Sequence, residues 1–182
     1  MSGLILPVTL FASSFIPSVK PNVKSFNYVG DIAPLNYFDP LKINSETNFN
    51  EERVKYWREA ELQHGRTAML GAVALPLLEY TNPGMLSINY LSNLDSMMQS
   101  PFWVGMLAYE CVRMGVGWTN PFSEKDSLFT LKDEYQPGNL FSYDKENVSD
   151  TFYNNELSHG RLAMLACAHI IGSELLTGKG IF

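Results

Sequence analysis

The alternation of polar and apolar positions divides the chain into an irregular arm and three helical stretches. Residues 1–50 have no regular periodicity and, from about residue 20, are rich in Asn, Pro, Gly and Tyr, so we predict an extended N-terminal arm. Good helix formers begin at Glu51 and run, without Gly or Pro before Gly65, towards the turn signal TNPG. We predict one all-α domain over residues 1–182, with helices over about 51–80, 101–118 and 151–177.

Capping residues support these helix ends. Asn50, followed by the acidic Glu51 and Glu52, is a suitable N-cap and first turn for the first helix. Gly178, in the sequence TGKG, is suited to end the third helix.

The first and third predicted helices contain the same motif. ELQHGRTAML begins at Glu61, and ELSHGRLAML begins 95 residues later at Glu156. A further acidic residue follows each motif glutamate at +18, namely Glu79 and Glu174. Because +18 is about 27 Å of helix and a hydrocarbon layer is about 30 Å thick, these acidic residues could mark two membrane interfaces.

The length of the uncharged stretches instead favours a soluble protein. The runs 67–78 and 162–173 contain only twelve residues each, which is more typical of buried helices in soluble proteins. A membrane protein is therefore credible only if the charged residues beside these runs have a specific role.

Composition narrows the possible functions. Hydrophobic residues make up 46% of the chain and charged residues 18%, below the roughly 25% usual for soluble domains. The net charge is -6 and there is no basic run, which argues against nucleic acid as a partner.

The repeated motif has the spacing of a metal site. Glu61 and His64 share a helix face at i and i+3, as do Glu156 and His159, and both side chains are metal ligands. Di-iron carboxylate bundles use such pairs but need two further helices, each with a Glu. This chain offers one, carrying Glu110, and an Arg two residues after each His would repel a dication. For one copy alone, a solvated charged turn would be an adequate explanation.

A second interpretation uses the arginines. If the repeated helices cross about a pseudo-two-fold axis, Glu61 can pair with Arg161, and Glu156 with Arg66, which makes the charges tolerable in a membrane. Each Glu keeps one free oxygen and has its net charge cancelled. Such a unit suits a metal whose own charge is satisfied, such as the magnesium of a chlorophyll ring.

These segments resemble the chlorophyll-binding light-harvesting family of thylakoid membranes. The family motif E-x-x-[HN]-x-R-x-A-M is present twice, and YECVRMG has the family's E-x-x-R spacing at Glu110 and Arg113. YFDPL, over residues 37–41, resembles the stretch that cradles a carotenoid end group. The resemblance covers roughly residues 30–180.

The resemblance implies three transmembrane helices, of which the first and third cross as a pseudo-two-fold pair. It implies three groups of functional residues. The chlorophyll magnesium ligands are Glu61, His64, Glu110, Glu156 and His159; the ion-pair braces are Arg66, Arg161 and Arg113; the carotenoid loop is Phe38, Asp39, Pro40 and Leu41.

One ligand position departs from the family pattern. Ser173 stands where the family usually has a Gln, so the ligand there is either Ser173, through a bridging water, or His169 one turn away. The alternative for His169 is a hydrogen bond to a carbonyl group or to a pigment substituent, without a ligand role. His159, together with REAELQHGR, resembles the red-lineage branches, which pair chlorophyll a with chlorophyll c or use chlorophyll a alone.

The function implied is that of a light-harvesting antenna that performs no bond chemistry. It would bind chlorophylls and carotenoids (xanthophylls), span the plastid thylakoid membrane several times, and contact lipids, neighbouring antenna subunits and the core of photosystem I or II. The uncharged residues 1–19 fit either a remnant of a plastid presequence or an ordered arm. A metal-dependent helical enzyme and a pigment-free stress or assembly relative are the alternatives.

Overall fold

The computed structural model describes Gly30, Ile32, Phe38, Leu41 and residues 50–120, 130–141 and 149–182. Its elements, in chain order, are α1 (Glu51–Thr81), a 3₁₀ turn (Ser87–Asn89), the short α2 (Tyr90–Asn93), α3 (Ser96–Gly117) and α4 (Asp150–Thr177). A helical fold is therefore confirmed. None of the helices in these ranges is long and apolar enough to cross a membrane, so the three membrane spans stay a prediction.

Local hydrogen bonds explain where the helices begin and end. The Asn50 side chain accepts a hydrogen bond from the Arg53 N–H at 3.3 Å, as its predicted capping role requires. Gly178 ends α4 with a φ of 64°, also as predicted, and its N–H donates to the Glu174 carbonyl. The start predicted for α3 at residue 101 is wrong, because the Asp95 side chain caps Ser96 and the helix begins there.

α1 and α4 cross in direct backbone contact. A Cβ added at Gly65 would lie 3.1 Å from the Gly160 Cα, and one added at Gly160 would lie 3.0 Å from the Gly65 Cα. Further along, the Cys167 thiol donates to the Ala68 carbonyl at 3.2 Å. The small residues of the two motifs thus let the helices pack along each other, whereas α3 packs along neither of them.

Acidic side chains are more deeply buried than most apolar ones, the reverse of an ordinary soluble domain. Among the described residues few hydrophobic side chains are buried, while Glu59, Glu79 and Glu174 are 1%, 5% and 1% exposed. Large apolar side chains instead face outwards along α3 and on the outer faces of α1 and α4. Those of α3 include Met97, Phe102, Trp103, Val104, Leu107 and Val112.

The acidic residues near the far ends of α1 and α4 are buried within the protein. Glu79 and Glu174 both accept hydrogen bonds there, and their position at membrane interfaces stays a prediction. Glu79 Oε2 accepts from the Ile181 N–H at 2.6 Å. Glu174 accepts from the Ile88 N–H at 3.1 Å and from the Ser87 hydroxyl. Each carboxyl group therefore anchors a chain segment through backbone donors that have no helical partner.

Candidate functional site

Two ion pairs connect α1 and α4 on either side of the crossing. Arg66 Nε donates to Glu156 Oε1 at 2.6 Å, and Arg161 Nε donates to Glu61 Oε1 at 2.8 Å. These are the two pairings that the repeated motif predicts. Because each pair joins a Glu of one helix to the Arg of the other, equivalent contacts relate α1 and α4 by an approximate two-fold axis.

The same arginines hold the loops that flank the helix pair. Arg66 Nη2 donates to the Gly138 carbonyl at 2.7 Å, and the Gly138 N–H donates to Glu59 Oε2 at 2.7 Å. The backbone of Gly138 is thus held on both sides by two α1 side chains that are two turns apart. Gly138 has a φ of 83°, and a Cβ there would lie 2.6 Å from Leu62 Cδ1, so glycine is required for the close approach.

The N-terminal arm meets α4 in the equivalent way. Arg161 Nη1 donates to the Gly30 carbonyl at 2.9 Å, and the Gly30 N–H donates to Asn154 Oδ1 at 2.8 Å. Gly30 has a φ of 106°, and a Cβ there would lie 2.7 Å from Leu157 Cδ1. The approximate two-fold symmetry therefore extends to both loops, with Asn154 in the place of Glu59.

The two motif histidines have the same tautomer. Nδ1 of His64 lies 2.7 Å from the Ala60 carbonyl, and Nδ1 of His159 lies 2.7 Å from the Asn155 carbonyl. A carbonyl only accepts, so each Nδ1 carries the proton. In the neutral ring, Nε2 then has a free lone pair, and both side chains are exposed. This arrangement presents a nitrogen ligand outwards from each helix.

The two motif glutamates are not equivalent. Glu156 accepts from Arg66 through Oε1, and no described residue donates to its Oε2. Glu61 accepts from Arg161 through Oε1 and also from Arg58 Nη1 through Oε2, at 2.8 Å. The expectation that each Glu keeps one free oxygen is therefore wrong for Glu61, because Arg58 lies one turn before it on the same helix face.

The predicted pair on α3 forms and extends to α1. Arg113 donates to Glu110 Oε2 through Nε at 3.0 Å and Nη2 at 2.7 Å. Its Nη1 also lies 3.3 Å from Glu59 Oε1. The Glu110 side chain is 43% exposed, and no described residue donates to its Oε1. Glu110 thus has a free oxygen and a compensating cation.

Glu59 is not among the site residues predicted from the sequence, although its position in the repeat indicates a role. Glu59 stands two residues before the first motif glutamate, at the position that Asn154 occupies in the repeat. The two residues differ chemically, so a search for identical residues passes over them. Glu59 also accepts from the Tyr135 hydroxyl at 3.2 Å. Burial and the adjacent Glu59 raise the pKa of Tyr135, which keeps its phenol a donor.

An apolar cavity of about 750 Å³ opens between α3, α4 and the loop 130–141. Arg66 and Glu156 stand in its wall, and the remaining lining is mainly aromatic and aliphatic. That lining includes Tyr109, Val112, Leu140, Phe141, Phe152 and Tyr153. A large apolar cavity with one charge-compensated carboxyl group is suited to a bulky apolar cofactor.

The other predicted site residues lie outside these clusters. His169 is exposed on α4, with no hydrogen bond to any described residue. Ser173 is half-buried, and its hydroxyl donates to the Ile170 carbonyl at 2.8 Å. In the predicted carotenoid loop, Phe38 and Leu41 are exposed, while Asp39 and Pro40 lie outside the described residues.

A conventional metal site has no counterpart in the described ranges. No three His, Cys, Asp or Glu side chains converge there in a way that could hold a metal ion. The described residues therefore offer no di-iron centre.

The fold and the site define a helical protein in which two crossed helices carry charge-compensated carboxylates and outward-facing imidazoles. The sequence model described as chlorophyll A-B binding protein matches residues 25–175. The chain belongs to this family, whose members are chlorophyll-binding light-harvesting proteins.

Relatives from different algae and plants support this membership. The chain is 31% identical over 176 residues to light-harvesting complex stress-related protein 1 of Chlamydomonas reinhardtii, covering 84% of this chain and 66% of the relative, just under two thirds. It is 32% identical to a fucoxanthin-chlorophyll a-c binding protein of Isochrysis galbana, covering 95% and 91%. It is 30% identical to chlorophyll a-b binding protein 4 of Arabidopsis thaliana, covering 89% and 69%.

Proposed function

We propose that this chain is a light-harvesting antenna protein of the plastid thylakoid membrane. In this proposal α1, α3 and α4 cross the membrane, and the protein binds chlorophyll a, with or without chlorophyll c, together with carotenoids. The bound chlorophylls absorb light and pass excitation towards a photosystem core, directly or through neighbouring antenna subunits, and the carotenoids protect against photodamage. The protein itself makes and breaks no bonds.

The repeated charge-compensated carboxylate beside an outward-facing imidazole is the observation that carries this proposal. The charge of chlorophyll magnesium is already neutralised by its ring, so one further oxygen or nitrogen ligand from the protein would hold it. His64 and His159 offer free Nε2 lone pairs, and Glu156 offers an unoccupied oxygen whose charge Arg66 cancels. The residues therefore fit the cofactor. Glu110 is proposed as a further ligand through its free Oε1, and Glu61 through the second lone pair of an oxygen that already accepts from an arginine.

The distribution of polarity supports an apolar environment around the helices. Along α3, which packs against neither neighbouring helix, apolar side chains face outwards, whereas the charged groups of α1 and α4 are paired across their crossing. Pairing lowers the cost of placing charges in hydrocarbon. Pigments between the helices and lipid around them would cover the exposed apolar surface.

The test is to reconstitute the full chain in detergent with extracted thylakoid pigments and to record absorption, circular dichroism and fluorescence excitation. An antenna protein should retain chlorophyll through gel filtration, and light absorbed by carotenoids should appear as chlorophyll emission. Pigment extraction then separates chlorophyll a alone from chlorophyll a with c. A folded helical protein that retains no pigment would contradict the proposal.

We predict that His64→Ala and His159→Ala each remove one chlorophyll while the helices still assemble. Neither imidazole takes part in an ion pair, so its loss removes one axial ligand and one short intrahelical hydrogen bond. Pigment extraction per mole of reconstituted protein gives the stoichiometry. Thr67→Ala, on the exposed surface of the same helix, serves as the control. An unchanged chlorophyll count in both His variants would show that they are not ligands.

We further predict that His169, and not Ser173, is the additional ligand near the far end of α4. His169 lies about 15 Å along the helix from His159 and is exposed, with no hydrogen-bond partner among the described residues, although an unpaired imidazole is costly in hydrocarbon. The Ser173 hydroxyl already donates within its helix. We expect His169→Ala to lose one chlorophyll and Ser173→Ala to lose none. The reverse result would assign the ligand to Ser173 or to a water that it holds.

A further inference from the structure

Polar contacts at one buried carboxyl group attach α3 to the rest of the protein. α3 packs along neither α1 nor α4, yet its Arg113 reaches Glu59 on α1. Nearby, the Tyr109 hydroxyl donates to Gln63 at 2.7 Å, and Gln63 Nε2 in turn donates to Glu59 Oε1 at 3.1 Å. Together with the ring contact between Tyr56 of α1 and Trp118 at the end of α3, these polar contacts hold α3 beside α1.

Glu59 has no room to bind a cofactor itself. It is 1% exposed, and both of its oxygens accept two hydrogen bonds each. Oε1 accepts from Gln63 and Arg113, and Oε2 accepts from the Tyr135 hydroxyl and the Gly138 N–H. The four donors come from α1, α3 and the loop 130–141, so this carboxylate joins three parts of the chain.

We infer that Glu59 is a positioning residue for a cofactor ligand on α3, namely Glu110. This inference rests on the proposed function, in which the free oxygen of Glu110 binds chlorophyll magnesium. Arg113 bonds Glu110 through Nε and Nη2 and Glu59 through Nη1, so its guanidinium is held from two sides. Because Glu59 is buried in α1, it fixes Arg113, and through Arg113 it fixes the Glu110 carboxylate relative to the helix pair.

The repeat contains a natural comparison for this role. Asn154 accepts from the Gly30 N–H just as Glu59 accepts from the Gly138 N–H, but among the described residues no side chain of α3 hydrogen-bonds to Asn154. A neutral amide suffices to hold a loop peptide, whereas a carboxylate is needed to hold an arginine as well. The difference between the two positions therefore separates loop docking from the orientation of α3.

The test compares reconstituted full-length Glu59→Gln, Glu110→Ala, the double variant and Asn154→Ala. Glu110→Ala defines the chlorophyll absorption band that belongs to the Glu110 ligand. We expect Glu59→Gln to lose that same band and one chlorophyll, and the double variant to lose no more than Glu110→Ala alone. Asn154→Ala should keep the band, because it loosens the arm without affecting Arg113.

A second variant distinguishes the loss of positioning from a general folding defect. Glu59→Asp keeps the charge but is shorter, and we expect reduced occupancy of the Glu110 chlorophyll with the others retained. Unchanged pigment in both Glu59 variants, equal loss of pigments bound by α1 and α4, or failure of both variants to assemble would overturn the positioning role. If the wild-type protein itself binds no chlorophyll, the proposed function fails first, which is a distinct outcome.

Discussion

Glu61→Ala is expected to impair assembly more than Glu156→Ala. The Glu61 carboxylate accepts from both Arg161 and Arg58, so its removal breaks two of the described ion pairs, whereas Glu156→Ala breaks one, the pair with Arg66. Breaking a buried ion pair costs about 3–5 kcal/mol. The Glu61 and Arg161 side chains are 29% and 41% exposed, so solvent lowers this cost towards the value of at most about 1 kcal/mol that exposed pairs have. We therefore expect about 2 kcal/mol, roughly thirtyfold in the assembly equilibrium.

The measurement is the yield and thermal stability of pigment-loaded protein after reconstitution. Glu61→Gln is the matched control, because it keeps an acceptor for Arg161 and should fall between wild type and Glu61→Ala. The double variant Glu61→Ala with Arg161→Ala should recover part of the loss, since one stranded charge is gone. Recovery stays incomplete because Arg161 also holds the Gly30 carbonyl. Additive losses in the double variant would show that the two side chains do not stabilise each other.

The contacts between α1 and α4 could be predicted because the motif that forms them occurs twice in the sequence. A repeat of Glu and Arg with the same spacing allows reciprocal pairing as soon as the two helices cross, and both ion pairs are present. The crossing itself follows from glycine at the same position of each motif, Gly65 and Gly160. Short-range spacing on a helix is fixed by helix geometry, so such predictions need no knowledge of the loops.

The loop contacts could not be predicted in the same way. Gly30 and Gly138 lie in irregular stretches, and no periodicity specifies which peptide group of a loop will meet a helix. Their partners Glu59 and Asn154 share a repeat position but not a residue type, so only the folded chain reveals their common role.

The acidic residues at +18 have a role that their spacing could not reveal. Glu79 and Glu174 recur at equivalent positions, and their spacing from the motif glutamates predicts two membrane interfaces. In the folded chain each carboxyl group is buried against backbone N–H groups, of Ile181 and Ile88 respectively. Helix spacing gives the depth of a residue along its axis, but it does not show which chain segment folds back over that residue.

Gly65→Leu should have the largest effect of any single change at the crossing, because the helices touch through backbone atoms there. Even the Cβ of Gly65→Ala would lie 3.1 Å from the Gly160 Cα, a distance that requires a shift of a few tenths of an ångström. We expect Gly65→Ala to cost about 1–3 kcal/mol through overpacking, and Gly65→Leu to separate the helices and break both ion pairs. Thermal unfolding of the reconstituted protein, followed by helical circular dichroism and by chlorophyll absorption, measures both effects.

Gly105→Ala in α3 is the control, since nothing lies within 4 Å of its added Cβ, and it should stabilise the helix by roughly 0.5–1 kcal/mol. Equal thermal stability of Gly65→Leu and Gly105→Ala would mean that α1 and α4 do not cross in contact at Gly65.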